Sequence, residues 1–255
     1  MFKKIIALFV LSVLFGSCAS NSKIVYMNNA EQGQSGTLVK YENVLQPDDK
    51  LAIIVTADEP ALAAPFNLIY VSLQSNQLNN VNNNDALTSY LIDQKGEIDF
   101  PGVGKVKLAG LTRIEAEKKI KDILSKQIQN PGVNLRVINF KVSVSGEVVR
   151  PGPVVVNGDR ITILEALSAV GDLTIYGKRK EIMIIREKEG VKTIGYVDIT
   201  DKDIINSPYY YLCQNDVIYV KPNKTKVNSS VIGPNLTVGI SAISLIVTII
   251  ALSTR

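Results

Sequence analysis

An internal repeat with an offset of 50 residues constrains the fold of this chain more than any other feature. Three motifs recur at this spacing without a gap: Gly96-Glu97-Ile98 with Gly146-Glu147-Val148, Pro101-Gly102 with Pro151-Gly152, and Thr112-x-x-Glu115-Ala116 with Thr162-x-x-Glu165-Ala166. In each copy a strand reaches a Pro-Gly pair, which favours a tight turn, and a second apolar strand follows. The sequence therefore predicts two small related units.

Each copy also contains the signature of a helix start. Thr112 and Thr162 are placed to cap the first turn, and Glu115 and Glu165 are placed to return the bond to the capping residue. The second helix is expected to stop at Gly171. The predicted class is α+β, with two small β-rich units that each have a capping helix.

A weaker repeat joins two aspartates. Leu45-x-x-x-Asp49 resembles Leu212-x-x-x-Asp216, and an alternating strand follows each of them. We interpret Asp49 and Asp216 as turn residues, since a catalytic pair would have to come from two different units. Further strands are predicted at 90–93, 133–137, 141–144 and 181–186.

The amino terminus has the pattern of an export signal. Lys3 and Lys4 precede an apolar run over 5–15, and Gly16-Ser17 stands directly before Cys18. This arrangement resembles a bacterial lipobox, although Phe15 replaces the usual Leu or Val. We expect a signal peptide over 1–17, lipid attachment at Cys18, and a lipidated tether over 18–44. The alternative is a plain secretory signal with a coincidental cysteine.

The carboxyl terminus is long and apolar enough to predict a transmembrane helix over 235–255, after a linker over 223–234. Residues 236–252 include no charge and would span ~25 Å as a helix, close to the thickness of a bacterial outer membrane. Their polar residues fall on one face: Thr237, Ser241, Ser244 and Thr248. Such a stripe suits contact between neighbouring helices or a water-filled lumen. The alternative is a simple anchor whose hydroxyls bond their own helix carbonyls.

Composition excludes several kinds of chemistry. The chain has no histidine and two cysteines, so it supplies neither a His-dependent triad nor four thiolates for zinc. It also lacks a Gly-x-x-x-x-Gly-Lys run for nucleotide phosphates. A net charge of +4 gives no argument for nucleic acid as a partner. We expect no cofactor, no metal and no enzymatic activity.

Two polar segments leave both a structural and a functional interpretation open. The Asn-rich stretch 74–85 is either a mobile surface loop or a sugar-contacting loop. Tyr209, Tyr210 and Tyr211 either pack by their rings or stack on sugar rings.

Taken together, these motifs resemble the Wza-type outer-membrane polysaccharide export lipoproteins. The first unit, with Phe100-Pro101 and Leu111-Thr112, is similar to the polysaccharide export domain, here 45–139. The second, with Arg150-Pro151-Gly152, is similar to a soluble-ligand-binding β-grasp (SLBB) domain, here 140–222. Two departures stand out. The first turn reads Pro47-Asp48-Asp49 in place of Pro-Gly-Asp, and only one SLBB unit is visible.

The resemblance implies a translocon for capsular or exopolysaccharide. In this family, copies form a ring, an octamer by resemblance, and contact an inner-membrane polysaccharide copolymerase and tyrosine autokinase. Outer-membrane lipid and the polysaccharide cargo would be the remaining partners, with the bulk of the chain in the periplasm. One alternative is a lipid-anchored saccharide- or protein-binding module without a pore. Another is a polysaccharide-processing enzyme that uses paired acids such as Asp99 and Glu147.

Overall fold

The computed structural model describes residues 24–31, 43–68, 89–188 and 190–231, together with eight residues of the C-terminal segment: 239, 241, 242, 244–246, 248 and 249. Several predictions fall outside these residues, namely the signal peptide, the lipid attachment at Cys18, the Asn-rich stretch 74–85, and Thr237 of the polar stripe.

Up to residue 231, the described chain contains ten strands and four α-helices. The strands are β1 (Lys50–Thr56), β2 (Tyr90–Leu91), β3 (Glu97–Phe100), β4 (Gly104–Lys107), β5 (Gly132–Val137), β6 (Lys141–Gly146), β7 (Gly152–Val155), β8 (Ile182–Lys188), β9 (Val191–Val197) and β10 (Val217–Val220). The helices are α1 (Pro60–Ala63), α2 (Arg113–Leu124), α3 (Ile163–Ala169) and α4 (Lys224–Val231). The predicted α+β class is confirmed.

The first unit is built from a three-stranded sheet, a hairpin and helix α2. The sheet has the antiparallel order β2-β1-β5, and β3 pairs with β4 to form the hairpin. Alternate residues of β1 point inward, so that Leu51 and Val55 are buried. Helix α2 covers this core with Ile120 and Leu124, which are four residues apart and share a face.

The second unit is a five-stranded mixed sheet with helix α3. Its strand order is β7-β6-β10-β8-β9, in which β10 runs parallel to β6 and antiparallel to β8. The unit has a separate core, which includes Phe140, Val144 and Ile184, together with Ile163 and Leu167 of α3. Each unit therefore folds around its own hydrophobic cluster.

Both predicted capping boxes are confirmed. The Thr112 backbone N–H donates to the Glu115 carboxylate at 2.8 Å, and the Glu115 N–H donates to Thr112 Oγ1 at 3.3 Å. The corresponding bonds between Thr162 and Glu165 measure 2.7 and 3.2 Å. Helix α3 ends before Gly171, whose φ of +82° is the left-handed conformation expected at this position.

Two strand predictions need correction. The strand predicted at 90–93 ends at Leu91, because the Asp93 carboxylate accepts the backbone N–H groups of Lys95 and Glu97 and closes a turn. Strand β9 was not predicted at all, although it pairs with β8 along its whole length. Much of β9 is exposed on both faces, so its apolar residues do not produce a clear alternation.

The C-terminal predictions also change. The segment predicted as a linker contains helix α4. The eight described residues after 238 are helical, but none of the helices in the described part of the chain is both long and apolar enough to cross a membrane. The transmembrane helix predicted over 235–255 is therefore not supported.

The parallel pairing of β6 with β10 depends on a glycine. Gly146 has φ +91°, and a Cβ built there would lie 2.1 Å from the Val220 carbonyl oxygen. Gly104 has nearly the same φ of +89°, but a Cβ there would meet nothing within 4 Å. Alanine at Gly104 would therefore have only the cost of a left-handed backbone, whereas alanine at Gly146 would also clash with β10.

We predict that Gly104→Ala lowers the free energy of unfolding by about 1 kcal/mol, the usual cost of a left-handed alanine. Gly146→Ala must cost clearly more, because β10 has to move away. Urea unfolding of the two variants checks this difference. Equal losses would contradict the close approach of Gly146 to Val220.

Candidate functional site

The two repeated aspartates each close a turn from the inside. Asp49 is 2% exposed, and its carboxylate accepts the Gln46 N–H at 2.9 Å. Asp216 is 1% exposed, and its carboxylate accepts the Cys213 N–H at 2.8 Å. The same bond, from a carboxylate to the N–H three residues earlier, therefore occurs in both units. The interpretation of these residues as turn residues is confirmed.

The residue before each buried aspartate has a left-handed backbone. Asp48 has φ +71° and Asn215 has φ +64°. Glycine is the residue most suited to this conformation, but aspartate and asparagine adopt it more readily than other residues. The family that this chain resembles has Pro-Gly-Asp here. The sequence Pro47-Asp48-Asp49 can form the turn without that glycine, because Asp48 adopts the left-handed conformation.

The two aspartates differ in how their charge is compensated. Arg186 on β8 binds Asp216 with two guanidinium nitrogens, Nε to Oδ1 at 3.0 Å and an Nη to Oδ2 at 2.7 Å. Its remaining donors reach the carbonyls of Tyr211, at 3.1 Å, and Pro208, at 3.2 Å. This one side chain joins β8, the start of β10 and the loop between β9 and β10.

Asp49 is compensated less fully than Asp216. Burial raises the pKa of the Asp49 carboxyl from 3.8 to about 6, and the neighbouring Asp48 charge raises it further, while the Gln46 N–H acts in the opposite direction. A raised pKa in a pocket often marks a catalytic acid. Here the carboxylate closes a turn within the first unit, so we assign it a structural role.

The three consecutive tyrosines pack against the protein. The Tyr209 ring lies over Gly195, where a Cβ would come within 2.2 Å of the ring, and beneath the Arg186 guanidinium at 5.0 Å. Tyr210 and Tyr211 meet edge to face with centroids 5.2 Å apart. These contacts support packing rather than stacking on sugar rings.

The paired acids considered for an enzyme do not form a site. Asp99 lies on the exposed face of β3 in the first unit. Glu147 belongs to the second unit, where its carboxylate accepts the Thr174 hydroxyl at 2.8 Å and lies 3.9 Å from the Lys226 ammonium. Across the described residues, no group of three or more acidic or cysteine side chains is placed to hold a metal ion.

A shallow groove lies where the two units meet. Arg113 at the start of α2 binds Glu117 at 2.8 Å and Asp159 of the second unit at 3.3 Å. Leu45 and Phe140 contribute an apolar floor, and about 140 Å³ of open space lies above it. The carboxylate in its lining, that of Asp159, is engaged by Arg113, and apolar side chains make up much of the rest, which is the chemistry of a binding surface. No motif in the sequence indicated it, because its residues come from four separate segments.

Part of the predicted tether lies against the second unit. The Tyr26 hydroxyl donates to the Asp172 carboxylate, and the Met27 and Asn28 N–H groups donate to the Ile199 and Thr200 carbonyls, each at 3.0 Å. Burial and the neighbouring Asp172 raise the pKa of the Tyr26 hydroxyl. Residues 24–31 therefore form a docked segment rather than free chain, which the sequence did not indicate.

Three of the four predicted stripe residues are described, and all three are helical and exposed: Ser241, Ser244 and Thr248. The Ser244 hydroxyl donates to the Ser241 carbonyl and the Thr248 hydroxyl to the Ser244 carbonyl, both at 2.8 Å. This back-bonding is what the simple-anchor alternative expects. It still leaves the hydroxyl oxygens able to accept bonds.

Comparison with known proteins gives a consistent picture. Residues 38–138 match the model of a family described as polysaccharide biosynthesis/export protein. The chain is 29% identical over 142 residues to the EPS I polysaccharide export outer membrane protein EpsA of Ralstonia nicotianae (strain ATCC BAA-1114 / GMI1000), and 28% identical to the protein of that name from Ralstonia solanacearum. Each match covers 54% of this chain and 37% of the relative.

These matches confirm the resemblance to Wza-type polysaccharide export proteins. The matched residues begin in the segment before β1 and end just after β5, so they contain the whole of the first unit. The family and both relatives are export proteins rather than enzymes, which agrees with the prediction that the chain is not an enzyme.

We predict that Asp49→Asn changes the dependence of stability on pH. The folded protein, with a pKa of about 6, keeps a proton on Asp49 that the unfolded chain releases near its ordinary value of 3.8. Wild-type stability therefore falls, relative to the D49N variant, as pH rises from 3.8 through about 6. The difference should reach about 3 kcal/mol at neutral pH, which urea unfolding across this window measures. A constant difference would show that Asp49 does not titrate in this way.

We predict that Arg186→Ala lowers the free energy of unfolding by about 3–5 kcal/mol, because it leaves the Asp216 charge buried without its cation. Arg186→Lys keeps the charge but loses the fork geometry, so its loss should be intermediate. Lys188→Ala, at the exposed end of the same strand, is the control and should change stability by less than about 0.5 kcal/mol. Thermal unfolding of the three variants ranks them. Similar values for Arg186→Ala and Lys188→Ala would contradict the assigned role.

Proposed function

We propose that this chain, whose residues 38–138 carry a polysaccharide biosynthesis/export domain, is a lipoprotein subunit of a homo-oligomeric translocon that exports capsular or exopolysaccharide across the bacterial outer membrane. The observation that carries the proposal is the match of residues 38–138 to the polysaccharide biosynthesis/export family. The EpsA relatives are outer-membrane export proteins, which agrees with the proposed location.

A ring is the assembly that fits this task physically. A polysaccharide is covered with hydroxyl groups and does not partition into hydrocarbon, whereas a ring of subunits can enclose a water-filled passage. Two units with separate hydrophobic cores, joined by a short segment after β5, are suited to stacking as two layers of such a ring. In this account the bulk of each subunit lies in the periplasm, and Cys18 carries the lipid.

The second unit is proposed to be the SLBB domain. The hairpin β6-β7, helix α3 and the hairpin β8-β9 precede β10, which lies between β6 and β8 and runs parallel to β6. This order supports a β-grasp assignment. By resemblance, the periplasmic partner is an inner-membrane polysaccharide copolymerase and tyrosine autokinase. The groove between the units, with its Arg113–Asp159 bridge, is exposed to such a partner.

In the proposed ring, the stripe of Thr237, Ser241, Ser244 and Thr248 faces neighbouring copies or the lumen. Support comes from the helical conformation and exposure of the three described members. Small side chains allow helix backbones to approach closely, and their oxygens still accept hydrogen bonds.

A second candidate is a lipid-anchored binding module that forms no pore. The bonds from Ser244 and Thr248 to their own helix favour it, because they satisfy the hydroxyl donors without any neighbour. The inter-unit groove would then be its binding surface.

Export by cells tests the proposed function directly. Deletion of the gene should abolish polysaccharide at the cell surface while polymer accumulates inside, and the full-length protein should restore export. A strain that exports normally without the protein would refute the proposed role. The pore and the binding module are then separated by variants of the stripe.

We predict that the double variant Ser241→Leu/Ser244→Leu lowers export strongly while the protein remains folded and abundant. Two bulky apolar side chains would block close contact between neighbouring helices. Ile246→Leu, at an exposed position on the opposite face of the same helix, is the matched control and should export normally. The measurement is the amount of polysaccharide at the cell surface relative to the amount of the protein in each strain. Normal export by the double variant would favour the binding module.

A further inference from the structure

We propose that the loop 173–178 of the second unit rests on a phospholipid surface, with Ile175 and Tyr176 in the headgroup layer and neighbouring lysines at the phosphates. The inference deepens the proposed function and rests on its lipid-anchored subunit. It assigns a membrane contact to a β-sheet domain, separate from both the lipidated cysteine and the C-terminal segment.

The tip of this loop is apolar, exposed and held in shape. Ile175 is 57% exposed and Tyr176 is 39% exposed. The Tyr176 N–H donates to Thr174 Oγ1 at 3.1 Å, and the Tyr176 carbonyl accepts the Asn223 N–H at 2.8 Å. A single exposed apolar residue is ordinary. An adjacent Ile and Tyr on a preorganised loop form a small apolar projection at low conformational cost.

Two segments distant in sequence, the docked segment 24–31 and the start of helix α4, are bound at the bases of this loop. On one side, Asp172 accepts the Tyr26 hydroxyl, and the Arg179 guanidinium lies 5.9 Å from the Tyr26 ring. On the other side, the loop binds the segment that opens helix α4, and the Lys226 ammonium lies 5.4 Å from the Tyr176 ring. The loop therefore lies between the docked N-terminal segment and the route to the C-terminal segment.

Chain length places this loop near the membrane. Five residues, 19–23, lie between Cys18 and Ile24, the first described residue of the docked segment. Even fully extended they reach no more than about 20 Å. With a lipid on Cys18, the end of the second unit that holds residues 24–31 cannot move far from the bilayer surface.

The charges around the tip suit a lipid surface. Lys178 and Lys226 flank the apolar pair, and each is close to an acid, Glu181 at 3.3 Å and Glu147 at 3.9 Å. Each ammonium offsets the charge of its acid and, with three N–H donors, keeps donors for a phosphate oxygen. Lysine beside an exposed aliphatic residue and a tyrosine is the usual composition of a membrane interface, where ammonium groups meet phosphates and the rings enter the boundary.

Tryptophan fluorescence provides a clean test because the chain contains no tryptophan. The mature, lipidated full-length protein is reconstituted in vesicles of phosphatidylethanolamine and phosphatidylglycerol, with or without brominated acyl chains. One protein has Ile175→Trp and the matched control has Leu91→Trp, at a site in the first unit that is 54% exposed. We expect brominated lipid to quench the first severalfold more strongly than the second, with a blue shift only in the first.

Each other result overturns the inference. Equal quenching of the two proteins, or failure of the chain to bind vesicles, would show that the loop does not rest on lipid. A blue shift for Ile175→Trp that appears in lipid-free detergent micelles and grows with protein concentration would assign the tip to contact between copies. Export by the Ile175→Trp strain is measured in parallel, so that normal export without quenching refutes the loop contact and leaves the proposed function standing.

Discussion

The buried ion pair between Arg186 and Asp216 is the interaction on which the second unit depends most. Asp216 is almost wholly inaccessible, and Arg186 satisfies both of its oxygens while also binding two loop carbonyls and covering the Tyr209 ring. Without the arginine, a charge would remain in the core beside the central strand β10. The pair thereby fixes β8, β10 and the tyrosine loop as one body, to which the docked N-terminal segment and helix α4 attach.

Both units contain an aspartate turn, but the charge of the aspartate is compensated differently in the first unit. Asp49 closes the turn before β1 as Asp216 closes the turn before β10, but burial holds the Asp49 pKa at about 6. The same aspartate turn thus contains a strong ion pair in the second unit and a titrating carboxyl in the first. The difference lies in long-range partners and not in the local motif, which is the same in both.

Local signals explain what could be predicted from the sequence. The capping boxes at Thr112 and Thr162, the aspartate turns and the stop at Gly171 all depend on residues within a few positions of each other, and the 50-residue repeat located both units. The Arg186–Asp216 pair joins residues 30 apart, and the Tyr26–Asp172 bond joins residues 146 apart. Such contacts leave no local pattern. Strand β9 was not predicted for a related reason, since its exposed apolar residues show no regular period.

The proposed function requires assembly and passage rather than chemistry, and the described residues provide two units with separate cores, charged groups used for structure, and two distant segments bound at one loop. The mass of the intact particle, measured after extraction of the lipidated full-length protein from outer membranes in mild detergent, tests this account most directly. We expect a single closed ring of many identical subunits. A particle of one or two subunits would contradict it.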